Sequence, residues 1–315
     1  MRAVTIVDQT LQLVEHPDPD PGPGEVVLAV RAAGLNPADA LQLRGFYPAP
    51  PGSPADIPGL EAAGEVLAVG AGTTRFAVGD RVMALVGGGG QAERLAVHES
   101  CLLAVPDEVA WEAAGGFCEV FITAHDALFT QAGLAMGERV CIHGAAGGVG
   151  TSAVQLARAA GATVVATVRD PARHDAVRAL GADVVVTPEG FGEHGPFDVV
   201  LELLGGVNLP DDLAALATGG RIVVIGVSRG GRAEVDLLRL MSTRGRILGS
   251  TLRARPLEGR AAAVQAVAHH VLPLLADGRV QVPVTATFGL GEVTAAYERL
   301  GAPGKLGKVV LLPDR

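Results

Sequence analysis

The sequence predicts an α/β protein in which a β-rich, partly closed barrel precedes a doubly wound parallel sheet. Three observations carry this. Across the first 115 residues, short apolar strands alternate with Gly, Pro and Asp turns. From about residue 118, fully apolar strands alternate with helical stretches, the pattern of a parallel sheet buried on both faces. After the first of those strands comes a glycine-rich turn, His143-Gly144-Ala145-Ala146-Gly147-Gly148-Val149-Gly150, that opens a helix.

The early strands are read at residues 3–7, 26–30, 62–69 and 81–85. The Pro-rich run from His16 to Gly24 cannot join a central ladder, and Gly87 to Gly90 reads as a flexible loop. The second half pairs strand 140–142 with helix 151–160, strand 163–167 with helix 171–180, and then strand 184–186. Strand 199–201 with helix 208–217 and strand 221–225 with helix 235–243 follow. This is a Rossmann-like order, ending near residues 247–251. A long helix over 257–276 leads to strands at 284–288 and 308–312, a tail expected to return to the first domain. The expected domains are residues 1–117 with 258–315, and residues 118–257.

Composition narrows the function. Hydrophobic residues make up 49% and aromatics 3%, so the core is mostly Ala, Val and Leu. The net charge of −9 argues against a nucleic-acid or anionic-membrane partner. Cys101, Cys118 and Cys141 are too scattered for a disulfide framework or a four-cysteine zinc site, and no apolar run approaches a membrane span. The reading is a cytoplasmic protein.

The glycine turn carries the chemistry. Bare backbone lets a pyrophosphate approach, and the helix start offers unpaired N–H groups and the positive end of its dipole. The motif reads Ala145-x-Gly147-x-x-Gly150, with alanine at the usual first glycine. Cofactor choice rests about 20 residues further on. If Asp170 caps the helix beginning at Pro171, Val168 takes the acid's usual place, and Arg169 and Arg173 flank a 2′-phosphate, favouring NADPH. The competing register puts Asp170 on the ribose and favours NAD.

Five ordered strings extend the reading: Asn36-Pro37-Ala38-Asp39, Gly59-Leu60-Glu61-Ala62-Ala63-Gly64, Val78-Gly79-Asp80-Arg81-Val82, the glycine turn, and Gly307-Lys308-Val309-Val310. With them the chain resembles the zinc-independent quinone oxidoreductases of the medium-chain dehydrogenase/reductase superfamily. Gly88-Gly89-Gly90-Gln91-Ala92 and Ser250-Thr251-Leu252-Arg253-Ala254-Arg255 point to the branch of the tumour-suppressor-inducible quinone oxidoreductase. The resemblance implies a GroES-like barrel, a Rossmann domain, a cleft between them, NADPH and a homodimer. It implies reduction of a small-molecule quinone or other α,β-unsaturated carbonyl, the loop from Phe46 to Asp56, Gly87 to Gly90 and the Cys118 to Phe121 region shaping the acceptor site.

Residue by residue, the resemblance sets Asn36, Tyr47 and Thr123 beside the nicotinamide, as candidate catalytic and cofactor-binding residues. It adds Ala146, Gly147, Gly148, Val149 and Leu252 to the cofactor site. Gly205 and Gly226, just past the fourth and fifth strands, read as bare backbone along the cofactor's path. The plainer readings are a capping Asn36, a packed loop Tyr47, a helix-interior Thr123 and ordinary turn glycines. Zinc dehydrogenases of the superfamily place a ligating histidine where this chain has Leu60, so no metal is expected; Cys118, close to where their last ligand falls, reads as a small buried hydrophobe. Lys305 and Lys308 read as solvated surface lysines, with reach into the cleft as the alternative, His143 as packed, and His269-His270 as surface residues. Alternatives are an enoyl-thioester reductase, a non-catalytic relative of the crystallin or RNA-binding kind, and a zinc alcohol dehydrogenase.

Overall fold

The computed structural model describes residues 1–313. Contacts divide the chain into two compact units: Met1–Ile122 with the segment from Leu252 onward, and Thr123–Thr251.

The first unit opens with the antiparallel hairpin β1 (Arg2–Val7) and β2 (Thr10–Glu15), turned through Asp8 and Gln9 at positive φ. Next come β3 (Glu25–Gly34), helix α1 (Pro37–Leu43), β4 (Glu61–Val69), β5 (Arg81–Leu85), β6 (Arg94–His98) and β7 (Leu102–Ala104). Helix α2 (Trp111–Gly115) follows; α3 (Cys118–His125) begins in this unit and ends in the second, where it runs on into a π-helical turn, Asp126–Gln131.

The second unit alternates strands and helices: β8 (Arg139–Ile142), α4 (Gly148–Ala159), β9 (Thr163–Thr167), α5 (His174–Ala179), β10 (Val184–Val186), β11 (Phe197–Glu202), α6 (Leu209–Ala214), β12 (Leu216–Val224), α7 (Leu237–Thr243) and β13 (Arg246–Gly249). The chain then returns to the first unit through α8 (Leu257–His270), α9 (Leu272–Ala276), β14 (Val284–Gly289), α10 (Val293–Gly301) and β15 (Lys308–Leu312).

In the first unit seven strands form one sheet in the order β14-β15-β3-β4-β5-β7, with β6 also paired to β3. The tail rejoins it, since β15 runs antiparallel to β3, Val310 opposite Gly34. One core is mostly Val, Leu and Ala, including Val26, Leu28, Val66 and Leu102; a second joins Val4 and Leu35 to Leu290, Val293 and Leu311. The second unit is an all-parallel six-stranded sheet in the order β10-β9-β8-β11-β12-β13. Chain order reverses between β8 and β11, so the turn after β8 sits where such sheets bind ligands.

Several elements differ from the sequence reading. Helix α4 begins at Gly148, three residues before the expected start, so Gly148 and Val149 form its first turn. The expected helix at 171–180 divides into a 3-10 turn, Pro171–Arg173, and α5. The long helix over 257–276 breaks after His270, because Pro273 lacks the N–H that continuation requires. β2, β6 and β7 lie outside the strands read from sequence. Gly87 to Gly90, read as a flexible loop, is wholly buried. Among the described residues, no helix is long and apolar enough to cross a membrane.

Arg221 ties the second unit's sheet to the approach segment before it. Its guanidinium donates to the Ala132, Gly133 and Asp198 carbonyls and to both oxygens of Glu138, at 2.7–3.1 Å. Arg221→Met strips donors from all of these acceptors. It should lower the unfolding free energy by about 3 kcal/mol in urea denaturation.

Candidate active site

The second unit builds a cradle at the carboxyl ends of its strands. After β8 the chain turns through Gly144 at φ +60°, and Ala145 N–H donates to the Thr167 carbonyl at the end of β9 (3.0 Å). Gly147 is the N-cap of α4 and offers no side chain to the first N–H groups. Those donors stay available to an anion. Ala146, Gly147, Gly148 and Val149 are half-exposed, between buried Ala145 and Gly150. A Cβ on Gly150 would lie 2.5 Å from the Gly144 carbonyl oxygen, so only glycine lets α4 pack against its own turn.

Beneath the turn lies a polar clamp. His143 is wholly buried, its ring held between Thr167 Oγ1 (3.0 Å to Nδ1) and Asp212 Oδ1 (2.8 Å to Nε2), and set nearly perpendicular to the ring of Phe191. Burial disfavours the imidazolium, but Cys141 and Asp212 outweigh it and raise the His143 pKa; burial pushes Asp212 itself up to about 6. Glu202, at the end of β11, accepts from the N–H groups of Leu204 and Gly205 and from Asn208 Nδ2. His143, Glu202 and Asp212 bring ligand atoms within 4.8 Å of one another. Thr167 and Asp212 hold the His143 ring and main-chain donors hold Glu202, so these bonds pin loop ends together; Asp212 Oδ2 is buried without a hydrogen-bond partner among the described residues. Sequence reading expected only a packed His143; nothing in its spacing signalled Asp212, 69 residues on.

The stretch after β9 has a defined local geometry. Asp170 Oδ1 accepts from Ala172 N–H (3.1 Å), making Asp170 the N-cap of Pro171–Arg173. Arg169 is exposed and Arg173 half-buried. Gly205, at φ +105°, abuts the Gly230 carbonyl, and Gly226 abuts the Leu203 carbonyl. These two glycines therefore let the loops after β11 and β12 pack on each other. Thr123 is buried on α3.

The first unit holds the other candidates. Lys308, read from sequence as a solvated surface lysine, is 3% exposed. Its ammonium donates to Glu61 Oε1 (2.5 Å), Asn36 Oδ1 (2.7 Å) and the Leu35 carbonyl (2.8 Å). Asn36 Nδ2 donates to the same Glu61 oxygen (3.0 Å). Asn36 stands at the N-cap position of α1, but its side chain faces this network. The reciprocal capping bond is made by Asp39, whose Oδ2 accepts from Asn36 N–H (2.8 Å). Burial lifts the Asp39 carboxyl to about 6, against the pull of that N–H and of Lys308.

Arg253 organises the loops. It is 5% exposed and donates to the Gly87 carbonyl (2.8 Å), the Tyr47 carbonyl (2.7 Å) and Gln42 Oε1 (2.5 Å). Its guanidinium carbon lies 5.0 Å from the centre of the Tyr47 ring. Asn36, Tyr47 and buried Leu252 thus belong to the first unit; Thr123, the glycine turn, Arg169, Arg173, Gly205 and Gly226 belong to the second.

Residues 22–132 match the alcohol dehydrogenase GroES-like domain, and residues 148–269 match the zinc-binding dehydrogenase domain. The quinone oxidoreductase of Pseudomonas aeruginosa is 33% identical over 322 residues, spanning 97% of this chain and 96% of that protein. The chain belongs to the zinc-independent quinone oxidoreductase family. It is an oxidoreductase of the medium-chain dehydrogenase/reductase superfamily. Family members are not its sole relatives. A polyketide synthase of Streptomyces halstedii, GfsB, is 44% identical over 209 residues, 64% of this chain but only 4% of the synthase's length. The structure of mycobacterial Rv1454c complexed with NADPH superposes with a TM-score of 0.88 at 27% identity, covering 99% of this chain and 100% of that one.

The family's fold raises two fit questions. At the ligand positions of zinc dehydrogenases, Leu60 is apolar and buried and offers no ligand atom, and Cys118, also buried, falls in none of the His, Cys, Asp and Glu clusters found among the described residues. These residues do not fit a catalytic zinc. The half-exposed turn, the uncapped start of α4 and the bare Gly147 do fit a dinucleotide.

Lys308→Met would leave Glu61 buried without its counter-charge. It should cost about 3–5 kcal/mol of stability in chemical denaturation. The double variant with Glu61→Gln should recover much of that loss; a single-variant cost below about 1 kcal/mol would show that the pair is not buried as described.

Proposed function

We propose that this chain is an NADPH-dependent, metal-independent reductase that delivers hydride to a quinone or another α,β-unsaturated carbonyl. The observation that carries the reading is the capping bond from Ala172 N–H to Asp170. It engages Oδ1 of Asp170, the carboxylate just past β9, in a cap, while Arg173 lies 4.0 Å from Oδ2; in this reading exposed Arg169, with Arg173 beside it, meets a 2′-phosphate. The similarity to an NADPH-bound structure supports the same choice.

In this reading the main chain of Ala146, Gly147, Gly148 and Val149 receives the pyrophosphate at the positive end of α4. Gly205 and Gly226 keep the adjoining loops close packed, and Leu252 and Thr123 line the cofactor. When bound, the reduced nicotinamide supplies the hydride. Tyr47, steadied by Arg253, offers a phenol to the acceptor oxygen. Asn36, engaged by Lys308 and Glu61, holds its loop in place instead of presenting a free amide. With Leu60 at the metal position, acceptor polarisation falls to hydroxyl and N–H donors, which suits conjugated acceptors whose charge spreads on reduction.

A second reading, reduction of an enoyl thioester, is favoured by the 44% identity to a polyketide synthase segment. The proposal includes a homodimer: β13 is the edge of its sheet, and α7 exposes Leu237, Leu238 and Met241 beside it. Three free cysteines suit a reducing compartment such as the cytoplasm.

Parallel fluorescence titrations with NADPH and NADH, followed by 1,4-benzoquinone, 9,10-phenanthrenequinone and crotonyl-CoA, test the reading. Tighter NADPH binding with quinone-dependent oxidation is expected. Arg169→Ala and Arg173→Ala should each weaken NADPH binding about tenfold and leave NADH unchanged. NADH preference would mean that Asp170 serves the ribose, and turnover on crotonyl-CoA alone would favour the thioester reading.

A further inference from the structure

Two arginines of the segment that returns to the first unit converge on Gly87. Arg253 donates to its carbonyl and is held there by the Tyr47 carbonyl and by Gln42. Arg260, in the first turn of α8, lies where a side chain of Gly87 would be. A Cβ on Gly87 would stand 3.2 Å from Arg260 Nη1 and would collide with Ser53 Oγ. A Cβ on Gly88 would stand 3.6 Å from the Cβ of Ser53. The bare glycines thus let the guanidinium and the hydroxyl come within reach of one small ligand.

The groups gathered there are donors without acceptors. Arg260 Nε is buried and has no hydrogen-bond partner, and among the described residues no ion pair or side-chain hydrogen bond engages the rest of the guanidinium. Ser53 donates through its main-chain N–H to the Pro50 carbonyl (3.1 Å), but among the described residues its hydroxyl meets no partner. Gly87 and Gly88 are buried, and neither N–H finds an acceptor among the described residues. The N–H groups on either side are paired: Val86 donates to the Leu60 carbonyl and Gly89 to the Ile57 carbonyl, both at 2.8 Å. Folded chains rarely leave buried N–H groups unpaired, and a guanidinium withdrawn from water with no counter-charge is costlier still. The Cys101 thiol, which feels the charge of Arg260, is held neutral by burial and supplies no anion.

We propose that Arg260, Ser53 and the N–H groups of Gly87 and Gly88 form a binding site for a phosphoryl group. The guanidinium fork takes two phosphate oxygens, and the hydroxyl and the successive N–H groups take the remaining lone pairs. A carboxylate, with two oxygens and a single charge, would leave part of this donor set idle. The phosphoryl group is either free phosphate or one carried by the substrate, as in an acyl-CoA thioester. Ser53 and Tyr47 share one loop, so a substrate with its phosphate here would run along that loop; this second source rests on the reductase reading above.

Titration of the cofactor-free protein with inorganic phosphate, followed by calorimetry at an ionic strength fixed with chloride, tests the site. The wild type should bind one phosphate that Arg260→Gln binds at least about tenfold more weakly and Ser53→Ala about threefold more weakly. Arg169→Ala, at the proposed nucleotide site, should keep it. Both first-unit variants should melt as the wild type does in phosphate-free buffer, because neither side chain has a partner in the protein to lose. Phosphate affinity unchanged in Arg260→Gln, or melting of that variant well below the wild type without phosphate, overturns the site. The two sources separate in kcat/KM for crotonyl-CoA against the crotonyl thioester of N-acetylcysteamine, which carries no phosphate. A drop of about tenfold in Arg260→Gln on crotonyl-CoA alone supports the site as one for the substrate's phosphate. Equal rates on crotonyl-CoA, with phosphate binding lost, support it as one for the free anion. A wild type that reduces none of the acceptors overturns the reductase reading, and the phosphate titration then decides the site by itself.

Discussion

The first unit is built around one buried ammonium. Lys308 sits on the last strand, and its contacts lie on the junction between β3 and α1 and on the start of β4. Placing a charge inside a protein costs several kcal/mol unless its protons and its partner's lone pairs are all satisfied. Lysine meets that condition here with three acceptors, and Glu61 meets it with three donors. The arrangement exists only if β15 returns to lie against β3. The orientation of Asn36 and, through Glu61, the main chain at the start of α3 both depend on that return.

The second unit solves its loop problem in the same chemical language. Glu202 gathers Leu204, Gly205 and Asn208, while Asp212 reaches across to the histidine under the glycine turn. Asp39 and Glu61 do the equivalent for Asn36, Gly59 and Glu119. Glu202, Asp39 and Glu61 each receive main-chain N–H that irregular backbone would otherwise leave unpaired, whereas Asp212 is engaged by the His143 ring. These loop ends are thus fixed from below, where solvent does not compete for the bonds.

How much of this was legible in the sequence depends on how local each signal was. The parallel sheet and the glycine turn were legible because apolar runs and Gly-rich punctuation act over a few residues. The N-cap role of Asp170 was legible for the same reason, since Asp-Pro states its own turn chemistry. Lys308 was misread because its burial rests on partners as far as 273 residues away, and Lys-Val-Val-Leu-Leu has no polar–apolar alternation to show which face is inward. The run Gly87 to Gly90 looked flexible because glycine composition reports freedom in the isolated chain; the arginine that uses Gly87 lies 166 residues on. Gly205 and Gly226 were placed at the right strand ends, but their bareness accommodates neighbouring backbone. The break at Pro273 was readable, and a continuous hydrophobic pattern hid it.

Arg253 has a consequence for how this scaffold can change over generations. Two of its three anchor points, at Tyr47 and Gly87, are carbonyl oxygens, which every amino acid carries. Side chains along the Tyr47 loop can therefore be exchanged one after another while the loop stays moored. Anchorage and surface chemistry are written in different parts of the residue, so a lineage can vary that surface without first loosening its framework.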